Sequence, residues 1–311
     1  KRKSSLHWRL ATNLKTLKGD DTLAVKSGQK RYDTSLLIAD HLNKGISSIE
    51  DKDNIEMMVQ LYLQLGEAAM KRSAFVTASE MLEIGMTALD KKSKWEDSYN
   101  VTLKIHLTLA QCLYCVGDLD KAKSLLNTVV ANGRPPRDTI AAFDLLISIY
   151  RSKMQYEQAK ECILKALTDI WEDDISNADV EEKFVKVRTL VQNKSDADLL
   201  ILSGMKHRKT SQKMPFLLQL AEISGLCRAY KLQDLAALRM VELTLKYGSY
   251  EINYTGLTFA MCGLCVARRH LYGEAYRFGR LAEMMSENED SFGRQAIAHY
   301  NYALRHWRLS M

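Results

Sequence analysis

Apolar residues recur at helical spacing along most of the chain, in runs that come in pairs joined by short polar turns. Residues 61 to 89 show the pattern, with two helical runs flanking a Ser-Ala-Phe turn at 73 to 75. The alternation returns in residues 103 to 130 and 140 to 167. Apolar positions three and four residues apart indicate amphipathic helices. The pattern therefore predicts successive helix pairs.

Small residues fall at corresponding places in these pairs. Two antiparallel helices approach closely only where small side chains meet, and a single pair cannot bury its own apolar face, so pairs stack. The small residues expected at the close contacts and turns are Gly66, Ala78, Gly85, Ala110, Gly117, Ala122, Ala159, Gly263 and Ala275.

Two turns between paired helices stand out in the sequence. GDLDKA at 117 to 122 and YGEA at 272 to 275 each place a glycine before acidic residues and a new apolar run. Gly117 and Gly273 are expected to allow the tight backbone, and the acidic side chains suit the N-terminus of the next helix.

Further helices are predicted outside the regular pairs. Pro215 is expected at a helix start, where a proline is tolerated. Residues 196 to 204 are short and ambiguous between structures. The remaining predicted helices cover residues 4 to 17, 34 to 49, 180 to 192, 215 to 230, 232 to 248 and 291 onward.

The predicted fold is an all-α, right-handed, tetratricopeptide-like α-solenoid of antiparallel helix pairs. Ala78 and Ala122 are 44 residues apart, and Ala122 and Ala159 are 37 apart. The tetratricopeptide period is about 34 residues, so the repeats here are longer and irregular. Composition agrees with a helical fold, because 3 prolines and 15 glycines among 311 residues leave little turn punctuation.

The charge balance is mildly basic and mixed in sign. The net charge is +6, from 44 basic and 38 acidic residues, which predicts a solvated helical surface rather than a nucleic-acid partner. A basic run at 206 to 209, with Lys213, lies in a predicted polar break. Thr210 and Ser211 follow it, so a kinase-accessible loop is a second interpretation. No run of about 18 apolar residues occurs, which predicts no membrane insertion.

Six cysteines occur inside apolar helical runs, without the loop-rich frame of a small secreted protein. Reduced thiols and a cytoplasmic location are therefore expected. Two C-x-x-C pairs, 112 to 115 and 262 to 265, could form a split zinc site or a redox pair. Both lie within predicted helices, where cysteine more often serves as a small apolar packing residue.

No other pattern in the sequence points to catalysis, a cofactor or a metal. Phosphate-binding loops, dinucleotide-binding loops and the H-E-x-x-H zinc motif are missing. His106 is expected to be a packed or half-exposed repeat residue. The acidic run at 172 to 174 could mimic a metal loop, but a helix end entering a solvated link explains it better.

Tyrosines are the candidates for a binding groove. Several cluster around residues 247 to 276, where they could line a peptide groove, although tyrosine in helical repeats is more often a packing residue. The candidate groove residues are Tyr62, Tyr114, Tyr150 and Tyr254.

Five segments carry a family likeness. In chain order they are HLNKGISSI (41 to 49), ASEMLEIGMTAL (78 to 89), YCVGDLDKAKSLL (114 to 126), LTLKYGS (243 to 249) and YGEAYRFGRLA (272 to 282). Together they resemble the helical-repeat region that follows the AAA-type predicted-ATPase module in large multidomain signalling proteins, such as hybrid histidine kinases and serine/threonine kinases. The likeness spans nearly the whole chain, and its most specific part runs from LTLKYG to YGEAYRFGRLA.

The resemblance implies a division of the chain. Residues 1 to 50 would hold N-terminal helices, because SLHWRLATNL resembles the last helix of the ATPase module. Residues 51 to 170 would form tetratricopeptide-like repeats, 171 to 214 an irregular helical segment, and 215 to 311 a second set of pairs in the same solenoid. The first residue is not Met, so we expect the chain to be part of a longer polypeptide.

The resemblance also implies a function without catalysis in this segment, because the family's nucleotide and kinase sites lie outside it. The expected role is a scaffold that contacts a protein partner or a neighbouring domain and regulates an adjoining ATP-binding module, with no cofactor. Two alternatives are a ligand-sensing solenoid of a transcription activator and a thiol or zinc enzyme. The sequence predicts neither the partner's identity nor the oligomeric state.

Overall fold

The computed structural model describes His41 and residues 52–89, 94–250 and 252–286. Most of these residues lie in helices, which follow one another with short connections. The α-helices are α1 (Lys52–Met70), α2 (Phe75–Leu89), α3 (Lys94–Asp97), α4 (Tyr99–Val116), α5 (Leu119–Asn132), α6 (Ile140–Ser152), α7 (Tyr156–Trp171), α8 (Val180–Gln192), α9 (Asp196–Leu200), α10 (Arg208–Leu226), α11 (Tyr230–Tyr247), α12 (Ile252–Ala267) and α13 (Tyr272–Met285). A single turn of 3₁₀ helix, η1, covers Ile175–Asn177.

The all-helical prediction is confirmed over the described residues. They form no strand, and the extended pairing among them is one isolated parallel bridge between Gly204 and Ser249. Helices adjacent in sequence pack as pairs, as an α-solenoid requires. The right-handed twist and the tetratricopeptide type of repeat stay predictions. So do the helices predicted at residues 4 to 17, 34 to 49 and 291 onward, which lie outside the described residues apart from His41.

The chain divides into two compact units, Lys1–Ile149 and Tyr150–Met311. The division falls near the end of α6. The four-region division expected from the sequence stays a prediction.

The first unit is built around the antiparallel pair α1 and α2, which packs against α4. An added Cβ at Gly66 would lie 2.6 Å from Cγ of Leu82, so the α1 backbone sits directly on that side chain. One turn earlier in α1, Tyr62 faces Gly85, which lies later in α2. The contacts therefore run in opposite directions along the two helices.

Gly85 marks the point where α1, α2 and α4 converge. An added Cβ there would lie 3.0 Å from Cβ of Tyr62 and 3.0 Å from Cδ1 of Ile105. Two neighbouring helices thus reach the same bare stretch of α2 backbone. Tyr62 and Ile105 are both almost fully buried, and the glycine makes room for them.

Most of the predicted small residues are buried in one unit or the other. Gly66 and Gly85 pack as described, and the others that have no solvent exposure or nearly none are Ala78, Ala110, Ala122, Ala159, Gly263 and Ala275. Gly117 differs, because it is exposed and an added Cβ would meet nothing within 4 Å. Its role is to end α4 in the left-handed region, with φ of 94°.

Replacing Gly66 with alanine is expected to destabilise the first unit by about 1–2 kcal/mol, although alanine is the better helix former. The new methyl group would overlap Leu82, whose branch point is too close to yield easily. Urea unfolding followed by circular dichroism measures the effect. In a Leu82→Ala background the overlap is gone, so the same Gly66→Ala change should be nearly neutral or stabilising there. Equal losses in both backgrounds would contradict this packing account.

The second unit packs α10 against α11, α11 against α12, and α12 against α13, while α7 and α8 contact α10 and α11 respectively. One continuous core joins α8, α9, α11, α12 and α13. Its largest members are Phe184, Leu238, Phe259, Phe278 and Leu281, all buried. Cys262 and Cys265 belong to the same core.

Several joints between helices use a left-handed residue other than glycine. The residues with positive φ are Ser73, Met154, Glu172, Arg228 and His270. The turn before α13 illustrates the difference from the sequence prediction. His270, with φ of 61°, supplies the left-handed residue there, while Gly273 lies in the first turn of the helix without a positive φ.

The start of α10 also differs from the prediction. The helix begins at Arg208, so Pro215 lies within it rather than at its start. His207 caps the helix by accepting the N–H of Thr210. Thr210 is buried, so the interpretation as a kinase-accessible loop is wrong for this residue.

The α11–α12 joint is the tightest backbone approach in the second unit's described residues. Gly248 follows α11 with φ of 99° and ψ of 178°. An added Cβ would lie 2.2 Å from the carbonyl oxygen of Ser203. The N–H of Ser249 donates to that oxygen over 2.8 Å, which fixes the approach.

Candidate interaction site

A cleft lies in the second unit where α10 turns into α11. Its volume is about 470 Å³, and we call it the joint cleft. Arg228 makes the turn with φ of 57°, and Ala229 is the N-cap of α11. The residues that line the cleft are Ser176, Arg228, Ala229, Tyr230, Lys231, Leu232 and Leu235.

The apolar part of the joint cleft comes from the first turns of α11. Leu235 is buried, Leu232 is partly buried, and Tyr230 is half exposed. The guanidinium carbon of Arg268 lies 5.5 Å from the centre of the Tyr230 ring, in the geometry of a cation–π contact. Tyr230 is half exposed, and Arg268 supports its ring from the turn between α12 and α13.

A buried ion cluster stands behind Tyr230. Asp234, only 5% exposed, accepts hydrogen bonds from both Arg268 and Arg269. The Arg269–Asp234 pair is 2.7 Å long, and Arg269 also binds Glu181 over 2.6 Å. Arg269 further lies 4.4 Å above the ring of Phe184. The cluster thereby ties α8 and α11 to the turn between α12 and α13.

The carboxylates of this cluster determine the charge state of Arg269. Burial by itself would lower the pKa of Arg269, but the hydrogen bonds to Glu181 and Asp234 raise the pKa overall. Arg269 therefore stays charged. Asp234 is nearly inaccessible and binds both guanidinium groups. It therefore holds the two arginine side chains in place and makes the wall of the joint cleft rigid.

Two cations border the joint cleft, and the nearby carboxylates are already engaged. Arg228 and Lys231 are exposed, and Arg228 has no ion-pair partner within the described part of the chain. Asp179 caps α8 by accepting the N–H groups of Glu181 and Glu182, and these bonds, with a weaker attraction to Lys231, lower its pKa. Asp174 accepts hydrogen bonds from Ser176 and Asn177, and these bonds lower the pKa of Asp174 as well.

The acidic run at 172 to 174 is a helix end, but its middle residue is not solvated. Glu172 ends α7 in the left-handed region. Asp173 is instead part of an ion-pair chain, binding Lys213 over 2.7 Å and Arg239 over 3.1 Å. The chain continues from Arg239 to Glu242 at 2.7 Å. The solvated link expected from the sequence is wrong for Asp173, because long-range partners could not be read from the run itself.

Glu242→Gln is expected to lower the free energy of unfolding at pH 7 by about 1 kcal/mol. Burial acts to raise the pKa of Glu242, but hydrogen bonds from Lys186 and Arg239 lower it overall. A carboxylate with a lowered folded-state pKa stabilises the protein above its unfolded pKa of about 4.3, and the effect is lost as pH falls through the folded-state value. The loss should therefore shrink below about pH 4.

Urea unfolding between pH 3 and 8 tests this dependence. Glu283→Gln is the matched control, because Glu283 is exposed and belongs to the same unit, so its loss should stay small at every pH. A Glu242→Gln effect that does not vary with pH would contradict the ion-pair explanation.

Three of the four cysteines in the C-x-x-C pairs, Cys112, Cys262 and Cys265, are buried packing residues with poorly reactive thiols. Cys112 is buried and donates to the carbonyl of Phe75, and burial raises its pKa to about 11. Burial also raises the pKa of Cys262 and of Cys265. Cys115 is exposed and Cys262 and Cys265 lie in the core, so neither pair presents two accessible sulfurs. No group of three or more potential metal ligands forms among the described residues.

The groove tyrosines expected from the sequence do not form the joint cleft. Tyr62 is 1% exposed and Gly85 packs against it, so it cannot line an open groove. Tyr114 and Tyr150 are partly buried, and Tyr254 is 40% exposed. Tyr62 and Tyr114 belong to the first unit, and Tyr150 and Tyr254 belong to the second. His106 is buried, with Nδ1 2.7 Å from the carbonyl oxygen of Thr102.

The residues that border the joint cleft were not predicted. Arg228, Tyr230 and Lys231 fall at the predicted boundary between the helices at 215 to 230 and 232 to 248. A usable signal was present, because two basic residues flank an aromatic residue at a helix joint, where side chains project from the helix ends. Loops and joints on a rigid scaffold are common positions for binding residues.

No protein-family model matches the chain, and no curated protein matches it significantly. None of the helices in the described part of the chain combines the length and the apolar character that a membrane crossing needs.

Proposed function

We propose that this chain is a non-catalytic helical-repeat scaffold that contacts a protein partner or a neighbouring domain and regulates an adjoining ATP-binding signalling module. The observation that carries the proposal is the joint cleft. It combines an exposed tyrosine, apolar side chains and two cations, and a rigid ion cluster supports it from behind. Aromatic and arginine residues of this kind dominate binding energy in protein interfaces.

The non-catalytic part of the proposal is supported by the chemistry of the thiols. A thiol with a raised pKa stays protonated at neutral pH and is a poor nucleophile and metal ligand. Burial raises the pKa of Cys112, Cys262 and Cys265. These cysteines are thus suited to packing in the helices that carry them.

The regulatory part of the proposal rests on the resemblance of five segments to the repeat region that follows a predicted-ATPase module. A helical scaffold can regulate such a module if it binds one of its conformational states more tightly than the other. The proposal therefore requires a physical contact and an effect on ATP hydrolysis, and each can be measured.

The test uses the native polypeptide that contains this chain. Peptide mapping should find phosphate-loop peptides upstream, and cross-linking should join described helices to the ATP-binding module or to a partner. Deleting residues 52 to 286, which include the joint cleft, should change the ATPase rate about fivefold or more, the usual size of an allosteric coupling. Unchanged ATP hydrolysis together with unchanged partner binding would refute the regulatory function.

A further inference from the structure

Resting on the proposed function, we propose that the joint cleft binds an acidic peptide segment with an apolar anchor, supplied by a partner protein. The occupant would place one or two apolar side chains against Tyr230, Leu232 and Leu235. Its carboxylates would face Arg228 and Lys231. Three features of the joint cleft lead to this occupant.

The first feature is the size and composition of the joint cleft. Its volume of about 470 Å³ suits one or two large apolar side chains and is too small for a folded element. The inner surface is contributed mainly by Leu232, Leu235 and the ring of Tyr230. An exposed tyrosine beside a partly buried and a buried leucine is a surface that gains from covering, because its ring leaves water on binding.

The second feature is the charge at the border of the joint cleft. Arg228 and Lys231 project at the start of α11, and the N-cap residue Ala229 has no side chain that could accept from the first N–H groups of the helix. A helix N-terminus favours negative charge, and here it acts beside two cations. The closest carboxylates, Asp174 and Asp179, are engaged with their own neighbours.

The third feature is preorganisation. Arg228 is held in its left-handed conformation by a hydrogen bond from its N–H to the carbonyl of Gly225, 3.1 Å long. Tyr230 is supported by Arg268, which Asp234 holds from behind. A surface whose binding residues are fixed before binding loses less conformational entropy when the partner arrives.

A nucleic acid fits the same surface less well. Phosphate backbones are recognised by clustered Lys and Arg residues along a face, and the joint cleft has two cations with Asp174 and Asp179 nearby. A peptide can place one or two carboxylates next to the cations and avoid the acidic side. An oligonucleotide is therefore included in the test as a competing probe.

The test measures fluorescence anisotropy of labelled peptides on the full chain. The probes are acetylated EEXXEE peptides in which X runs through Leu, Ile, Val, Met, Phe, Tyr and Trp. EESSEE lacks the apolar anchor, and KKLFKK reverses the charge. A single-stranded oligonucleotide is the remaining probe. The protein variants are Arg228→Glu/Lys231→Glu and the matched control Lys206→Glu/Lys209→Glu, which makes the same charge change at exposed residues of the same unit.

We expect at least one EEXXEE peptide to bind, and EESSEE and KKLFKK to bind at least about tenfold more weakly. Arg228→Glu/Lys231→Glu should raise the Kd about tenfold or more, and the control should change it about twofold or less at 0.15 M salt. Equal effects of the two variants, no binding by any EEXXEE peptide, or preference for KKLFKK or the oligonucleotide would each overturn the proposal. The cross-linking and ATPase measurements do not depend on these peptides, so they decide the proposed function separately.

Discussion

Gly248→Ala is expected to destabilise the second unit by about 2–4 kcal/mol. The backbone at Gly248 has φ of 99° and ψ of 178°, a region that is essentially restricted to glycine. An alanine Cβ would also lie 2.2 Å from the carbonyl oxygen of Ser203, which is backbone and accepts the N–H of Ser249. Relieving the clash would break that hydrogen bond and the bridge between Gly204 and Ser249.

Hydrogen exchange followed by mass spectrometry is the suitable measurement, because it reports on the second unit separately. Peptides from α11 and α12 should exchange faster in Gly248→Ala, and thermal unfolding should begin at least about 4 °C lower. Two other glycines serve as controls. Gly117→Ala places a left-handed alanine in open space and should cost about 1 kcal/mol in the first unit. Gly273→Ala lies on an exposed helix face and should stay within about 0.5 kcal/mol of the unchanged protein.

A Gly248→Ala protein as stable as the Gly273→Ala protein would contradict the backbone geometry described for this joint. Gly248 has a physical reason in this chain, because no other residue fits the conformation and the space together.

The helices could be predicted from the sequence because their signals are local. The predicted helix at 180 to 192 matches α8, with Asp179 as its N-cap and two acidic residues in its first turn. Apolar periodicity, a capping side chain and favourable charge all point to the same boundaries there. The joint at Gly117 was predicted for the same reason, because glycine signals a left-handed helix end.

Other joints could not be predicted because their left-handed residues are not glycine. His270 and Arg228 adopt positive φ where the packing of the flanking helices sets the turn. The sequence instead placed Gly273 at the turn before α13, one of the few glycines available. The helix start predicted at Pro215 is wrong for a similar reason, because the seven residues before it, from Arg208, are already helical.

The candidate site was less predictable than the fold, because it depends on contacts between residues far apart in sequence. Asp234 is one charged residue in a helical pattern, and its two arginines lie more than 30 residues later. The sequence predicts groove tyrosines from their position in the repeats. Tyr62, however, packs inside the first unit, and Tyr230 is the tyrosine that lines the joint cleft. Periodicity identifies the face that a helix buries, but not which charges meet on it.

Asp234→Asn is expected to destabilise the second unit by about 2–4 kcal/mol. The carboxylate is almost fully buried and accepts from Arg268 and Arg269, whose side chains are mostly buried as well. An amide of the same shape would leave two guanidinium groups without their shared counter-charge, and its NH₂ group would face their donors. Removing one partner from a buried ion cluster is costly because the remaining charges have lost their water.

Urea unfolding at pH 7 measures the Asp234→Asn loss, and Glu181→Gln is the matched control. Glu181 also binds Arg269, but its side chain is 66% exposed, so water replaces the lost carboxylate and the loss should stay below about 1 kcal/mol. Because Arg268 supports Tyr230, Asp234→Asn should also weaken binding of the EEXXEE peptides under conditions where the protein remains folded. Equal losses for the two variants would show that burial does not distinguish the two carboxylates, and the joint cleft would then have a mobile wall rather than a rigid one.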